Sequence, residues 1–197
     1  KDVLGYKKAG NEYKKLKEFM PDESVMDDIE RDAKEDVVAK EETDFEKLYE
    51  INPDLVCVLS IPALGLQYPV VQGADNVKYL NTTFEGNKNS AGCLFMDYEN
   101  SSDLSDPNTY IYGHNMKDGS MFGSLKKIVR EEGYASGEKA YVTTGDDVYS
   151  YSMKSAEIVS IDEYKPPEGE NGLLTLYTCW GNDKSKRLLV KFAKEKV

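Results

Sequence analysis

From Asn52 onward the chain is written in short runs of β-branched and aromatic residues, each closed by turn formers, and this grammar restricts it to a strand-built fold. The runs cover residues 55–61, 66–71, 93–97, 109–113, 139–143, 148–161, 173–179 and 187–192, with the sixth long enough to hold a bulge. One helix interrupts them, predicted over 120–130, where Met121, Leu125 and Ile128 share a face and Gly133 stands just past the end. A parallel sheet needs long crossover helices between its strands, and none is available. The expected architecture is therefore mainly β: a closed eight-stranded barrel with N-terminal helices and one internal helix.

The first fifty residues read differently. Residues 1–20 carry six Lys and three acids, whereas residues 21–50 carry thirteen acids and four bases. Val25, Ile29, Ala33 and Val37 recur every fourth residue inside the acidic stretch, and Thr43 with Glu46 three positions on predicts a capping box opening a helix through Phe45, Leu48 and Tyr49. The predicted division is an acidic helical appendage over 1–51 and a barrel domain over 52–197. A solvated helix face accounts for the acidic run, and recruitment of a basic partner is the alternative.

Composition removes several function classes. A net charge of -11, from 25 Lys+Arg against 36 Asp+Glu, disfavours a nucleic-acid partner. No stretch reaches the ~18 consecutive apolar residues of a membrane span; the chain starts at Lys1 without Met, which leaves open an upstream signal or anchor. Three Cys cannot all pair within one molecule, so a disulfide scaffold is out, and a single His leaves no multi-histidine metal site. The acids at 103–106 and 145–147 lack calcium-loop spacing, and neither GxGxxG nor a Walker loop occurs. No metal or cofactor is expected.

What chemistry is available lies near the C-terminus. The runs 173–179 and 187–192 read as a hairpin, and a turn centred on Asp183 sets Cys179 opposite Arg187, with Cβ atoms roughly 5 Å apart on one face. A guanidinium beside a thiol favours the thiolate and can hold an oxyanion formed when sulfur attacks a carbonyl. The sole His follows the strand Tyr110-Ile111-Tyr112-Gly113, and an imidazole near a thiolate can keep its proton and pass it to a leaving amine. From the residues alone, His114 reads equally as a loop side chain satisfied by hydrogen bonds. Cys57 and Cys93 stand inside apolar runs and are predicted to be core residues.

Several segments taken together resemble one family. Asn52-Pro53-Asp54, Ile61-Pro62, Tyr68-Pro69-Val70-Val71-Gln72-Gly73 with Asp75-Asn76, the run from Tyr112-Gly113-His114-Asn115-Met116 to Phe122, and Thr175-Leu176-Tyr177-Thr178-Cys179 followed by Arg187 are similar to class B sortases, in order from about residue 43 to 193. Sortases are cysteine transpeptidases of Gram-positive bacteria built on an eight-stranded barrel. The resemblance implies that Cys179 attacks a Thr carbonyl in the C-terminal sorting signal of an exported protein and holds that protein as a thioacyl enzyme. An amine of the peptidoglycan precursor then takes the acyl group, which anchors the protein to the cell wall. His114 maps onto the family's acid/base residue and Arg187 onto its oxyanion-stabilising Arg. Tyr112, Tyr177 and Thr178, beside them, become the expected substrate-binding residues. The implied location is the extracellular face of the cell membrane, with a single anchor upstream of Lys1.

The chain departs from the family at two places. The connection before the cysteine strand is short, residues 162–172, where class B members carry a longer segment with its own helix, and Tyr177 stands where Ser is frequent. No class B sorting motif is therefore carried over. A pilin-polymerising sortase using a pilin Lys, a cysteine hydrolase with the same three residues, and a non-catalytic barrel that binds a wall component are the alternative readings.

Overall fold

A computed structural model describes residues 3–22, 43–130, 138–162, 171–181 and 185–195. Its elements run α1 (Val3–Leu16), α2 (Phe45–Ile51), β1 (Leu55–Ile61), β2 (Leu66–Val71), β3 (Leu94–Met96), β4 (Asn108–Tyr112), α3 (Lys126–Arg130), β5 (Lys139–Thr143), β6 (Val148–Ser160), β7 (Leu173–Cys179) and β8 (Lys186–Lys194). The strands close into a barrel in the order β1-β2-β3-β4-β7-β8-β6-β5, as the strand grammar predicts. The long strand β6 does carry an irregularity, a register shift between Met153 and Ser155 against β8.

Two pairs are parallel, β2 with β3 and β4 with β7; the other neighbours are antiparallel. The β4/β7 pair decides where chemistry can occur. Because these strands run the same way, the residues after Tyr112 and the residue ending β7 emerge at the same end of the barrel. Strand β8 runs back from that end, so its first residues lie there too.

Alternation sorts the side chains. Leu174 and Leu176 of β7 oppose Phe192 and Val190 of β8, and all four are fully buried. Tyr177 and Cys179 take the other face. The buried set continues through Leu94 and Met96 of β3 and Ile111 of β4, so one apolar core underlies the site. Burying a side chain of this size contributes ~1.5–3 kcal/mol, enough for the core to hold strand positions rigidly.

Helix α1 packs onto the same core. Ala9, Tyr13, Leu16 and Met20 follow helical spacing and are buried with the barrel residues. The Glu12 carboxylate accepts from Thr83 Oγ1 and from the Glu85 N–H, both at 2.9 Å, and Tyr13 donates its hydroxyl to the Gly92 carbonyl at 2.6 Å.

The structure corrects three local expectations. Helix α2 is capped by Asp44, whose carboxylate accepts from the Lys47 N–H at 2.9 Å, and not by Thr43, which is buried. The helix predicted over 120–130 begins two residues later, as a 3-10 turn over Phe122–Leu125 leading into α3, because Met121 has a positive φ of 52° and bridges back to Asn115. Strand ends also shift: β3 is shorter than 93–97, β4 lies one residue earlier than 109–113, and β8 outruns 187–192 at both ends. The periodic stretch Val25–Val37, Gly133, and the interiors of the 162–172 and 180–186 connections lie outside the described residues.

Candidate active site

Cys179 is the last residue of β7 and pairs directly with Arg187 of β8, the register that symmetry about Asp183 predicts. The thiol is exposed and Arg187 is half-buried. The guanidinium is anchored at one corner, where Nη1 donates to the Lys186 carbonyl at 2.9 Å. Cys57 and Cys93 are core residues as expected, and burial pushes both thiols up to about 12.

His114 reaches the same end of the barrel through Gly113, which is fastened to the cysteine strand on both sides. Its N–H donates to the Tyr177 carbonyl at 3.3 Å, and its carbonyl accepts from Thr178 Oγ1 at 2.7 Å. There is no room for a side chain at Gly113: a Cβ there would sit 2.3 Å from Leu94 Cδ2 and 2.8 Å from Phe122 Cδ2. The loop then folds on itself, since the His114 carbonyl accepts from both the Met116 and Phe122 N–H groups. Asn115 ties the loop to the nucleophile strand, donating from Nδ2 to the Cys179 carbonyl at 2.9 Å.

The imidazole has a defined proton. Its Nε2 lies 2.7 Å from the Leu80 carbonyl oxygen, which can only accept, so Nε2 carries hydrogen. In the neutral ring, Nδ1 is then the basic nitrogen.

One cavity of about 530 Å³ joins these pieces. His114, Cys179 and Arg187 all line it, and so do Tyr112, Tyr177 and Thr178. Thr178 is buried and its hydroxyl is engaged by Gly113, so it contributes mainly by holding the two strands together. Tyr112 stacks on Phe95 with centroids 5.3 Å apart and meets Tyr177 edge-on at 5.2 Å. Burial, reinforced by a 2.5 Å hydrogen bond to Asp97, holds the Tyr112 phenol far above its ordinary range. Burial also raises the Tyr177 phenol, against the opposing charge of Arg187.

Sequence reasoning missed Asp97, which lines the cavity and holds the Tyr112 hydroxyl, and the Leu80 carbonyl, which orients the imidazole. Asp97 had only its position at a strand end to mark it, and a backbone carbonyl leaves no mark at all. Asn115 was inside a recognised segment but had no assigned task. Among the described residues no group of His, Cys, Asp and Glu side chains could hold a metal ion.

The arrangement offers a thiol, an imidazole with a basic nitrogen and a guanidinium around one open cavity, a set suited to acyl transfer through a thioester. Comparison with known proteins identifies the family. A sortase domain model matches residues 59–195. Sortase B of Listeria monocytogenes is 32% identical over 160 residues, covering 67% of this chain and 65% of that protein. Sortase B of Staphylococcus aureus is 36% identical over 105 residues, covering 53% and 42%. The chain thus spans less than two thirds of either curated relative. Among solved structures, sortase B of Bacillus anthracis in complex with AAEK1 superposes with a TM-score of 0.66 at 32% identity, over 78% of this chain and 84% of that one. The Staphylococcus aureus sortase B-substrate complex gives 0.77 over 99% and 100%, at 24% identity, a likeness of fold. The family model and these relatives establish that this chain belongs to the sortase family, among the class B sortases.

Proposed function

We propose that this chain is the catalytic domain of a cysteine transpeptidase that cleaves a C-terminal sorting signal after Thr and joins the protein to an amine of peptidoglycan, at the extracellular face of the cell membrane. The observation that carries this reading is the direct pairing of Cys179 with Arg187 beside a cavity that His114 also lines.

Cys179 Sγ, as thiolate, attacks the Thr carbonyl carbon. The carbonyl electrons move to oxygen, and the fixed donors of Arg187 stabilise that charge. Collapse of the intermediate breaks the C–N bond; imidazolium His114 gives its Nδ1 proton to the leaving amine, and a thioester remains on Cys179. In the second half the acceptor amine attacks the thioester carbonyl, neutral His114 takes a proton from it, and the new amide forms as thiolate departs. No oxidant or metal enters the balance. Tyr112 and Tyr177 form the apolar wall against which the signal peptide lies.

Among the described residues no helix is long and apolar enough to cross a membrane, and the anchor expected upstream of Lys1 belongs to this proposal. A quenched peptide library with Thr fixed and its neighbours randomised, incubated with and without amines, tests the reaction. Amine-dependent ligation supports transpeptidation, and a product ratio indifferent to amine assigns the chain to hydrolysis. Comparing a peptidoglycan stem amine with a pilin Lys peptide separates wall anchoring from pilus assembly. A Cys179→Ala protein that retains all function would leave only a binding barrel.

A further inference from the structure

The guanidinium in the proposed reaction stands on a flexible stem, and its Nη1 donates to the neighbouring Lys186 carbonyl at 2.9 Å. An oxyanion-stabilising group needs its geometry set in advance, because reorganisation during the reaction forfeits much of its effect.

Resting on the reading above, we propose that Tyr177 is a positioning residue for Arg187, and that Tyr112 and Asp97 brace Tyr177 from behind. Tyr177 lies two residues before Cys179 on the same face of β7, so it is the diagonal neighbour of Arg187 across the β7/β8 pair. The Arg187 Cζ lies 5.8 Å from the centre of the Tyr177 ring, within the range at which a ring quadrupole attracts a guanidinium. The charge of Arg187 also acts on the Tyr177 phenol, opposing the effect of its burial.

A ring can position a cation only if it is itself fixed. Tyr112 meets Tyr177 edge-on at an interplanar angle of 70° and is stacked on Phe95 from the other side. The Tyr112 hydroxyl donates to Asp97 Oδ2, which also accepts from Asn76 Nδ2 at 3.1 Å. The β4/β7 register, with Tyr112 directly opposite Tyr177, sets the spacing of the rings. A continuous packed series thus runs from a carboxylate after β3, through two tyrosines, to the guanidinium beside the nucleophile.

A wall residue that only touches substrate would behave differently, and two measurements separate the roles. In steady-state kinetics, Tyr177→Leu is expected to lower kcat about tenfold, whatever change in KM follows from its place in the cavity wall, while Tyr177→Phe, which keeps the ring, loses about threefold or less in kcat. A raised KM with kcat intact in Tyr177→Leu would make the residue a substrate contact and overturn the proposal. The second measurement needs no turnover. The Arg187 side-chain Nε–H resonance, assigned by its disappearance in Arg187→Lys, is expected to carry a ring-current shift that persists in Tyr177→Phe and vanishes in Tyr177→Leu. The same resonance position in Tyr177→Leu as in the unsubstituted protein would refute the contact. If the unsubstituted protein turned over no peptide, the transpeptidase reading would fall, and the resonance would still decide whether Tyr177 holds Arg187.

Discussion

Replacing Gly113 by alanine adds one methyl group at the point where the histidine loop leaves the barrel. The new Cβ would lie 2.3 Å from Leu94 Cδ2 and 2.8 and 2.9 Å from two carbons of the Phe122 ring. Carbon atoms normally rest ~3.5–4.0 Å apart, so the closest contact is short by more than about 1 Å. Neither neighbour has space to yield, since Leu94 and Phe122 are both fully buried. The backbone has little freedom either, being fixed to β7 by the Tyr177 carbonyl and the Thr178 hydroxyl. Over-packing of a tight core costs about 1–3 kcal/mol. Whatever relief is found must carry His114 with it, and a displacement of about 1 Å at a reacting group can cost ~10²-fold in rate. We therefore expect Gly113→Ala to lower the unfolding free energy by that cost and kcat/KM by about a hundredfold, while Cys179 stays open to iodoacetamide. The assay combines urea unfolding, peptide turnover and alkylation rate. Stability and turnover both equal to the unsubstituted protein would show that the histidine loop is not held as described.

Other expectations follow from single interactions. Thr178→Val keeps the shape of the buried side chain but leaves the Gly113 carbonyl without its hydroxyl donor, so stability should fall by about 1–3 kcal/mol in urea unfolding, together with turnover. Native alkylation near neutral pH should modify one thiol, Cys179, because Cys57 and Cys93 are buried with thiols pushed up to about 12; peptide mapping that finds either at a comparable rate would contradict this. The Glu195 carboxylate is held down to about 2, first by Lys139 and then by Ser152 and Ser150. A depressed folded-state value means its stabilising contribution is complete above the ordinary glutamate range near 4.5 and is lost as pH falls from there through about 2. Glu195→Gln should flatten acid unfolding over that window, by on the order of 1 kcal/mol given its partial exposure.

Parts of this site could be read from residues because local rules fixed them. Cys179 opposite Arg187 follows from symmetry within one hairpin, and a lone histidine directly after a strand is conspicuous. The barrel itself follows from eight strand runs without crossover helices. What escaped was set by tertiary context. Met121 has the spacing of a helix-face residue with Leu125 and Ile128, and it is buried like one, yet its N–H is drawn to the Tyr68 hydroxyl at 3.1 Å and its φ is positive. A buried turn residue and a buried helical residue leave the same hydrophobic trace. The Thr43 and Asp44 choice is similar: both can cap a helix, and the structure starts the helix at Phe45, which makes Asp44 the cap. Helix α1 hid its anchoring groups as ordinary surface residues, since nothing around Glu12 and Tyr13 announces that their polar atoms turn inward to Thr83, Glu85 and Gly92. Asp97 gains its place at the cavity only because the end of β3 lies beside Tyr110 of β4, a pairing no local pattern encodes.

The account stands or falls on whether Cys179 becomes acylated. Intact-mass spectrometry and peptide mapping after brief exposure to the Thr-fixed peptide library measure this directly. The expected result is an adduct equal to a peptide fragment ending in Thr, located on Cys179, lost in Cys179→Ala, and discharged by an added amine. Peptide cleavage with no adduct on Cys179, or an adduct that forms equally well in His114→Ala and Arg187→Ala, would contradict it.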